Sequence, residues 1–196
     1  MDDDRLLLAR LRAGDVDAFV AFVRRHNGSM LRIARSLVPN PAVAEEIVQD
    51  TWMAIVRGIS QFEGRSSLRS WLIAILVNRA RSTGAREYRT VPVAPQEATV
   101  DASRFDEGGH WISPPQHFTQ DVEDRVSAGG LSKRIRLSLD ELPVRQRQVV
   151  TLRDVEGLTS KEVCELLEIT EGNQRILLHR GRSRLREELE AEFGRV

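Results

Sequence analysis

The C-terminal part of the chain carries a run of arginines that could bind DNA. Between Gly172 and Arg186 there is no acidic residue, and the arginines are Arg175, Arg180, Arg182, Arg184 and Arg186. Guanidinium groups donate to phosphate oxygens, and those near the start of a recognition helix also reach guanine edges. Arginines alone leave a second interpretation open, a solvated basic helix face.

A short helix is predicted just before this arginine-rich helix, at helix-turn-helix spacing. Thr159 and Glu162 form the T-x-x-E pattern of a capping box, which predicts a helix over SKEVCELLEI. Thr170 can cap the second helix, which is predicted to run almost to the end of the chain. The first helix would pack through Val163, Leu166, Leu167 and Ile169. The pair therefore favours DNA binding.

A second basic stretch lies in the N-terminal half, between Gly64 and Arg89. Its arginines are Arg65, Arg69, Arg79, Arg81, Arg86 and Arg89, and Glu87 is its one carboxylate. Aromatic side chains accompany it, and a basic groove with aromatics is how proteins hold unstacked single strands. Trp71 falls on an apolar stripe, which favours a core position over a stacking role.

Several helices must position these arginines. The N-terminal pattern predicts helices over 17–38, with Asp17 as a possible cap, over 42–59, and from Ser66 or Ser67 to about Tyr88. Helical signals return at Leu131, and another helix is predicted over about 143–155. No β-strand pattern competes. The predicted fold is all-α: two small helical domains joined by a long flexible linker.

Charge divides the chain in the same way. The formal net charge is zero, but residues 1–90 have a net charge of +4, residues 91–130 of −5 and residues 131–196 of +1. The middle segment holds four prolines and shows no sustained period, which is typical of a linker. We therefore expect an N-terminal domain over 1–90, an acidic linker over 91–130 and a C-terminal domain over 131–196.

Composition argues against several classes of protein. A single cysteine, Cys164, excludes an intrachain disulfide and suggests a reducing compartment. No apolar run approaches the roughly 20 residues of a membrane helix, so we expect a cytoplasmic protein without membrane insertion. The histidines and Cys164 lack zinc-ligand spacing, and no catalytic constellation stands out. Neither a metal, nor a cofactor, nor enzymatic activity is expected.

Two long motif sets resemble the extracytoplasmic-function (ECF) sigma factors of the primary sigma superfamily. EEIVQDTWMAIV and FEGRSSLRSWLIAILVNRARS resemble region two, whereas LDELPVRQRQVVTLRDVEGLTSKEVCELLEI and TEGNQRILLHRGRSRLREEL resemble region four. The resemblance covers about 17–90 and 131–190. It implies an alternative sigma factor that binds core RNA polymerase, recognises the minus-thirty-five and minus-ten elements, and promotes DNA melting and initiation at a restricted gene set.

The resemblance also implies residue roles. The surface of this chain that binds the β′ clamp coiled coil of core polymerase would include Glu46, Gln49 and Asp50. The minus-ten surface would comprise Phe62, Arg65, Ser66, Ser67, Arg69, Asn78, Arg79, Arg81 and Arg86. The minus-thirty-five surface would comprise Gln174, Arg175, His179, Arg180 and Arg182. Leu177 and Leu185 are expected in the core. Two departures from the family are Ser82, where many relatives carry aspartate, and GNQR in place of a G-T-V-K-like string.

Further partners follow from the resemblance: the β flap of the polymerase, promoter DNA and an anti-sigma factor. Relatives thread the linker through the polymerase, so GGHWISPPQHF is either a docking point or part of an unstructured tether. The main alternative function is an autonomous DNA-binding regulator whose N-terminal bundle dimerises or senses a signal. That alternative leaves the stretch from Phe62 to Arg89 unexplained.

Overall fold

The computed structural model describes residues 2–87 and 128–193, and these residues form helices. Their bounds are α1 Asp2–Arg12, α2 Val16–Leu37, α3 Pro41–Gly58, α4 Leu68–Glu87, α5 Ala128–Glu141, α6 Val144–Val150, α7 Ser160–Leu167 and α8 Glu171–Phe193. A 3-10 turn, Ile59–Gln61, follows α3, and a π-helical turn, Thr151–Val155, continues α6. No strand occurs in these ranges, which confirms the all-α prediction. Most of the predicted linker, including GGHWISPPQHF, lies outside the described residues.

Helices α2, α3 and α4 form an N-terminal bundle around one apolar core. Phe22, Ile55 and Leu72 are almost completely buried, one from each helix. The edge of the Trp52 ring faces Phe22 at a centroid distance of 5.8 Å, and Trp52 Nε1 donates to Asn27 Oδ1 at 3.0 Å. Apolar residues at helical spacing therefore bury one stripe of each helix.

The start of α2 differs from the prediction. The cap is Asp15, whose side chain accepts a hydrogen bond from Ala18 N at 3.0 Å, so the assignment to Asp17 was wrong. Asp15 has the extended backbone that a capping residue requires, whereas Asp17 already lies in the first helical turn. That hydrogen bond, followed by the one from Arg10, holds the pKa of the Asp15 carboxyl below its ordinary value.

Helix α1 was not predicted, and it braces the loop after α3. Leu11 is buried in the bundle core. The Arg12 guanidinium donates to the carbonyl oxygens of Ile59, at 3.5 Å, and Phe62. Helix α1 therefore helps to fix the position from which the basic stretch of α4 begins.

The C-terminal helices contain the predicted helix-turn-helix. Thr159 and Glu162 form a complete capping box at the start of α7. The Thr170 hydroxyl accepts from Asn173 N at 3.2 Å, as predicted for the start of α8. Helices α6 and α8 approach closely at Gly181, where an added Cβ would lie 2.5 Å from Val150 Cγ2. Glycine is thus required at this crossing because any side chain would push the helices apart.

Candidate nucleic-acid interfaces

The loop that precedes α4 is exposed and pinned at both ends. At its start, Phe62 is only 7% exposed and its ring centre lies 4.9 Å from that of Trp71. At its end, the Ser67 hydroxyl accepts from Ser70 N at 3.0 Å and so caps α4, as predicted. Arg65 and Ser66 are exposed between these ends. Because the Phe62–Trp71 contact and the Ser67 cap fix its two ends, the loop would lose little conformational entropy on binding a partner.

Phe62, one of the minus-ten candidates, is buried in this structure. The ring packs on Trp71, which is half-buried against the core as its apolar stripe predicts. Burying an aromatic ring contributes about 1.5–3 kcal/mol, and exposing it to a strand would forfeit that term. In this structure Phe62 therefore supports the loop rather than contacting a base.

Helix α4 carries the remaining minus-ten candidates, which point in different directions around the helix. Asn78 is exposed, and Arg79 Nη1 donates to Asp50 Oδ2 at 3.1 Å. Arg69 and Arg81 instead meet carboxylates of the C-terminal domain, Glu156 and Glu168, at 3.1 and 2.6 Å. These three arginines of α4 are therefore all paired with carboxylates, one on α3 and two in the C-terminal domain. The side chain of Arg86 lies outside the described residues.

Arg81 and Glu168 perturb each other. The hydrogen bond from Arg81, assisted by its charge, lowers the pKa of the Glu168 carboxyl. The same hydrogen bond raises the pKa of the Arg81 guanidinium. Both side chains are accessible to water, which screens this attraction.

Helix α3 presents a different kind of surface. The three polar candidates, Glu46, Gln49 and Asp50, are exposed. Met53 and Val56 continue the same helix face, each 53% exposed. Sequence reasoning missed these two apolar residues, although they are separate from the buried stripe of Ile47, Val48, Thr51 and Ile55. Apolar side chains rimmed by polar ones are typical of a protein-binding surface.

Along α8, the minus-thirty-five candidates divide into exposed and structural residues. Arg175 is largely exposed, 3.6 Å from Glu171, while His179 and Arg180 are half-buried. Gln174 is 1% exposed and accepts from the Ser160 hydroxyl at 3.0 Å. In this structure the Gln174 amide therefore joins α8 to α7.

Arg182 also acts within the fold. Its guanidinium makes a bidentate pair with Asp154, at 2.8 and 2.6 Å, which raises the pKa of Arg182. Leu177 and Leu185 pack against the core, as predicted. Ile176, which sequence reasoning missed, is 51% exposed beside Arg175. The outward face of α8 near its start therefore includes Asn173, Arg175, Ile176 and Arg180.

His179 lies at the edge of this face. Burial, followed by the charges of Arg182 and Arg180, lowers the pKa of the imidazole. The neutral form is therefore favoured in the free protein. A phosphate nearby would offset the two arginine charges and favour protonation.

The Glu162 carboxylate of the capping box makes the unfolding free energy depend on pH in the acid range. Hydrogen bonds from Thr159, first from its backbone and then from its hydroxyl, lower the pKa of Glu162. A depressed folded-state pKa contributes stability above the ordinary value of 4.5, and this stability is lost as the pH falls through the folded pKa. We expect Glu162→Gln to flatten the fall in unfolding free energy below about pH 4.5. Urea unfolding at several pH values measures this difference.

A matched control for this prediction is Glu165→Gln on the same helix. Glu165 is exposed, and its replacement by Gln removes the same charge. An acid dependence that Glu165→Gln flattens as much as Glu162→Gln would contradict the assignment to the capping box.

Within residues 2–87 and 128–193, every helix is too short or too polar to span a bilayer. No group of three or more His, Cys, Asp or Glu side chains among these residues could hold a metal ion.

Comparisons with known families match both halves of the chain. The model of Sigma-70 region 2 matches residues 22–90, and that of Sigma-70, region 4 matches residues 132–185. The ECF RNA polymerase sigma-E factors of Salmonella typhimurium (strain LT2) and Escherichia coli (strain K12) are each 27% identical over 181 residues, which is 91% of this chain and 90% of theirs. A probable RNA polymerase sigma factor of Haemophilus influenzae is 28% identical over 159 residues, 80% of this chain and 81% of its own.

Solved structures share the fold. CnrH, in complex with the cytosolic domain of CnrY, is 22% identical with a TM-score of 0.56, and the match covers 96% of this chain and 97% of CnrH. The sigma factor RpoE of Bartonella quintana, in complex with the anti-sigma factor NepR, is 24% identical with a TM-score of 0.52, covering 96% of this chain and 95% of RpoE.

Proposed function

Since this chain belongs to the sigma-70 family, as an extracytoplasmic-function (ECF) sigma factor, we propose that it directs core RNA polymerase to a restricted set of promoters. It would recognise the minus-thirty-five and minus-ten elements and promote melting of the DNA between them and the start site. The observation that carries this proposal is the presence of two arginine-rich helices, α4 and α8, one in each matched region.

The exposed face of α3 is the proposed contact with the β′ clamp coiled coil. Glu46, Gln49 and Asp50 would meet basic groups of the polymerase, while Met53 and Val56 would supply apolar contact area. Charged rim residues favour correct orientation, whereas desolvated apolar residues contribute most of the affinity. The C-terminal domain would contact the β flap.

The loop before α4 is the proposed site of minus-ten recognition. Arg65, Ser66 and Ser67 are exposed at its tip, and Asn78 continues the surface along α4. Extruding a base costs a few kcal/mol, which contacts to the base and its strand would offset. Such trapping would let melting proceed without ATP hydrolysis.

The outward face of α8 is the proposed minus-thirty-five reader. Arg175 and Arg180 would reach base edges if α8 enters the major groove as a recognition helix, and His179 lies between them along the helix. Arg182 contributes chiefly by its pair with Asp154, which holds α8 against the π-helical turn.

An anti-sigma factor is the proposed regulator. Two structures similar in fold are complexes: the sigma factor RpoE with the anti-sigma factor NepR, and CnrH with the cytosolic domain of CnrY. A partner that covered the α3 face would block polymerase binding.

The function is tested by run-off transcription with core RNA polymerase on a panel of genomic promoter fragments, with a fluorescent reporter of strand separation. We expect initiation and melting that require both the chain and the core enzyme. Specific binding to duplex DNA without core, together with no melting in its presence, would favour an autonomous DNA-binding regulator instead.

Replacing Met53 with aspartate is expected to weaken binding to core polymerase by about tenfold or more, because an apolar contact at the centre of an interface typically contributes over 1 kcal/mol. The fold should be unchanged since Met53 is half exposed. Fluorescence anisotropy of labelled chain titrated with core measures the affinity.

The control for the Met53→Asp variant is Leu6→Asp, which makes a similar change at an exposed residue of α1. Equal loss of affinity in both variants would show that the α3 face has no special role.

A further inference from the structure

The two domains meet at one buried carboxylate. Glu156 follows the π-helical turn, and its side chain is 3% exposed. The Ser29 hydroxyl donates to one of its oxygens, and Arg32 Nε donates to the other at 3.0 Å. Arg69 Nη2 donates both to the Glu156 carboxylate, at 3.1 Å, and to its carbonyl oxygen, at 2.6 Å. Donors from α2 and α4 thus converge on an anion supplied by the other domain.

This arrangement is a preformed anion site on the N-terminal domain. A buried carboxylate is tolerated only when charged and hydrogen-bonding partners compensate for its lost hydration. Here two guanidinium groups and one hydroxyl do so, while the guanidinium groups keep part of their surface in water. Arginine and serine are also the groups that proteins use to hold DNA phosphates.

The position of the site favours nucleic acid as its other occupant. Arg69 is one of the minus-ten candidates from the sequence and lies two residues after Ser67, the cap at the end of the exposed loop. The next carboxylates of the C-terminal domain meet the same helix: Glu162 accepts from Ser70 at 3.0 Å, and Glu168 accepts from Arg81. Carboxylates of one domain therefore cover the cationic side of α4 in the way that a row of phosphates would.

We propose that Ser29, Arg32 and Arg69 form a binding site for a backbone phosphate of promoter DNA, and that Glu156 occupies this site when the two domains are closed on each other. The proposal rests on the proposed promoter binding. Glu156 and DNA then compete for the same donors. The closed chain binds DNA weakly, and any partner that separates the domains frees the site.

The first experiment uses full-length Glu156→Gln, which keeps the side-chain size and removes its charge. The probes are a fluorescein-labelled single-stranded DNA of mixed sequence, followed by anisotropy, and small-angle X-ray scattering of the free chain. We expect a larger radius of gyration and DNA affinity raised by about fivefold or more, since the competing charge is gone. Glu165→Gln, with the same charge change at an exposed position, should leave the radius of gyration unchanged and the DNA affinity within about twofold.

The second experiment separates closure from phosphate binding. In the wild-type chain, Arg32→Gln both loosens the closed form and removes a phosphate donor, so its two effects oppose each other. In the Glu156→Gln background only the second effect remains. There we expect Arg32→Gln to reverse most of the gain in affinity and to reduce the slope of log affinity against log salt by about 0.7, one phosphate contact on a single strand. Arg35→Gln, an exposed change on the same helix, is the control.

Each part of the proposal has its own contradicting outcome. An open Glu156→Gln chain with unchanged DNA affinity or salt slope would overturn the phosphate site. Tighter binding of a hexaglutamate peptide than of DNA by that variant would assign the site to an acidic protein instead. Unchanged scattering would overturn closure by Glu156. Failure of the wild-type chain to initiate transcription with core polymerase would overturn the proposed function separately.

Discussion

Replacing both Arg175 and Arg180 with alanine is expected to reduce initiation that depends on the minus-thirty-five element by roughly 30-fold or more. An arginine that contacts a guanine edge contributes about 1–3 kcal/mol of discrimination, and the two should act almost independently. Both residues lie on the outward face of α8, and Arg175 is mostly exposed. The fold of the helix-turn-helix should therefore survive.

Run-off transcription with core polymerase measures this effect on paired promoters that differ only in the minus-thirty-five element. The matched control is Arg145→Ala, an exposed arginine of α6 outside the helix-turn-helix. A similar loss on promoters without the element, or an equal loss in the Arg145 variant, would mean that the two arginines do not read sequence. Melting temperatures of all variants test whether the fold is intact.

The Phe22→Ala variant is expected to lose about 3–5 kcal/mol of unfolding free energy in the N-terminal bundle. Phe22 is 2% exposed, and its ring makes edge contacts with Trp52 at 5.8 Å and His26 at 4.8 Å between centroids. Truncation would leave a cavity that rigid helices cannot close. Small domains have only about 5–15 kcal/mol of stability, so binding to core polymerase should fall with the folded fraction.

Urea unfolding followed by Trp fluorescence measures the change, because Trp52 lies beside the cavity. Phe22→Leu keeps most of the apolar volume and should cost much less. A loss below about 1 kcal/mol for the alanine variant would show that Phe22 is not central to the core. Core binding that remains at full strength despite unfolding would contradict the placement of the polymerase surface on this bundle.

Local rules predicted much of the secondary structure. The Thr159–Glu162 capping box and the Ser67 and Thr170 caps formed as expected, because each cap needs only residues within three positions of one another. The helices predicted over 17–38 and 42–59 from helical spacing lie within one residue of α2 and α3 at each end. Helix α1 was not predicted; it packs against α2 as well as against a loop about 50 residues further along the chain.

Residue types and local spacing were sufficient to determine the all-α class, the helix-turn-helix and the two basic stretches, since helix periodicity and capping are encoded over a few residues. Only the tertiary structure decided which of the candidate side chains are exposed and which are buried in contacts within the chain. It buried Phe62 against Trp71 and Gln174 against Ser160, and it placed Glu156 against Arg32 and Arg69, 124 and 87 residues away. Such contacts join segments whose separation along the chain leaves no periodic signal, because they depend on how whole helices pack.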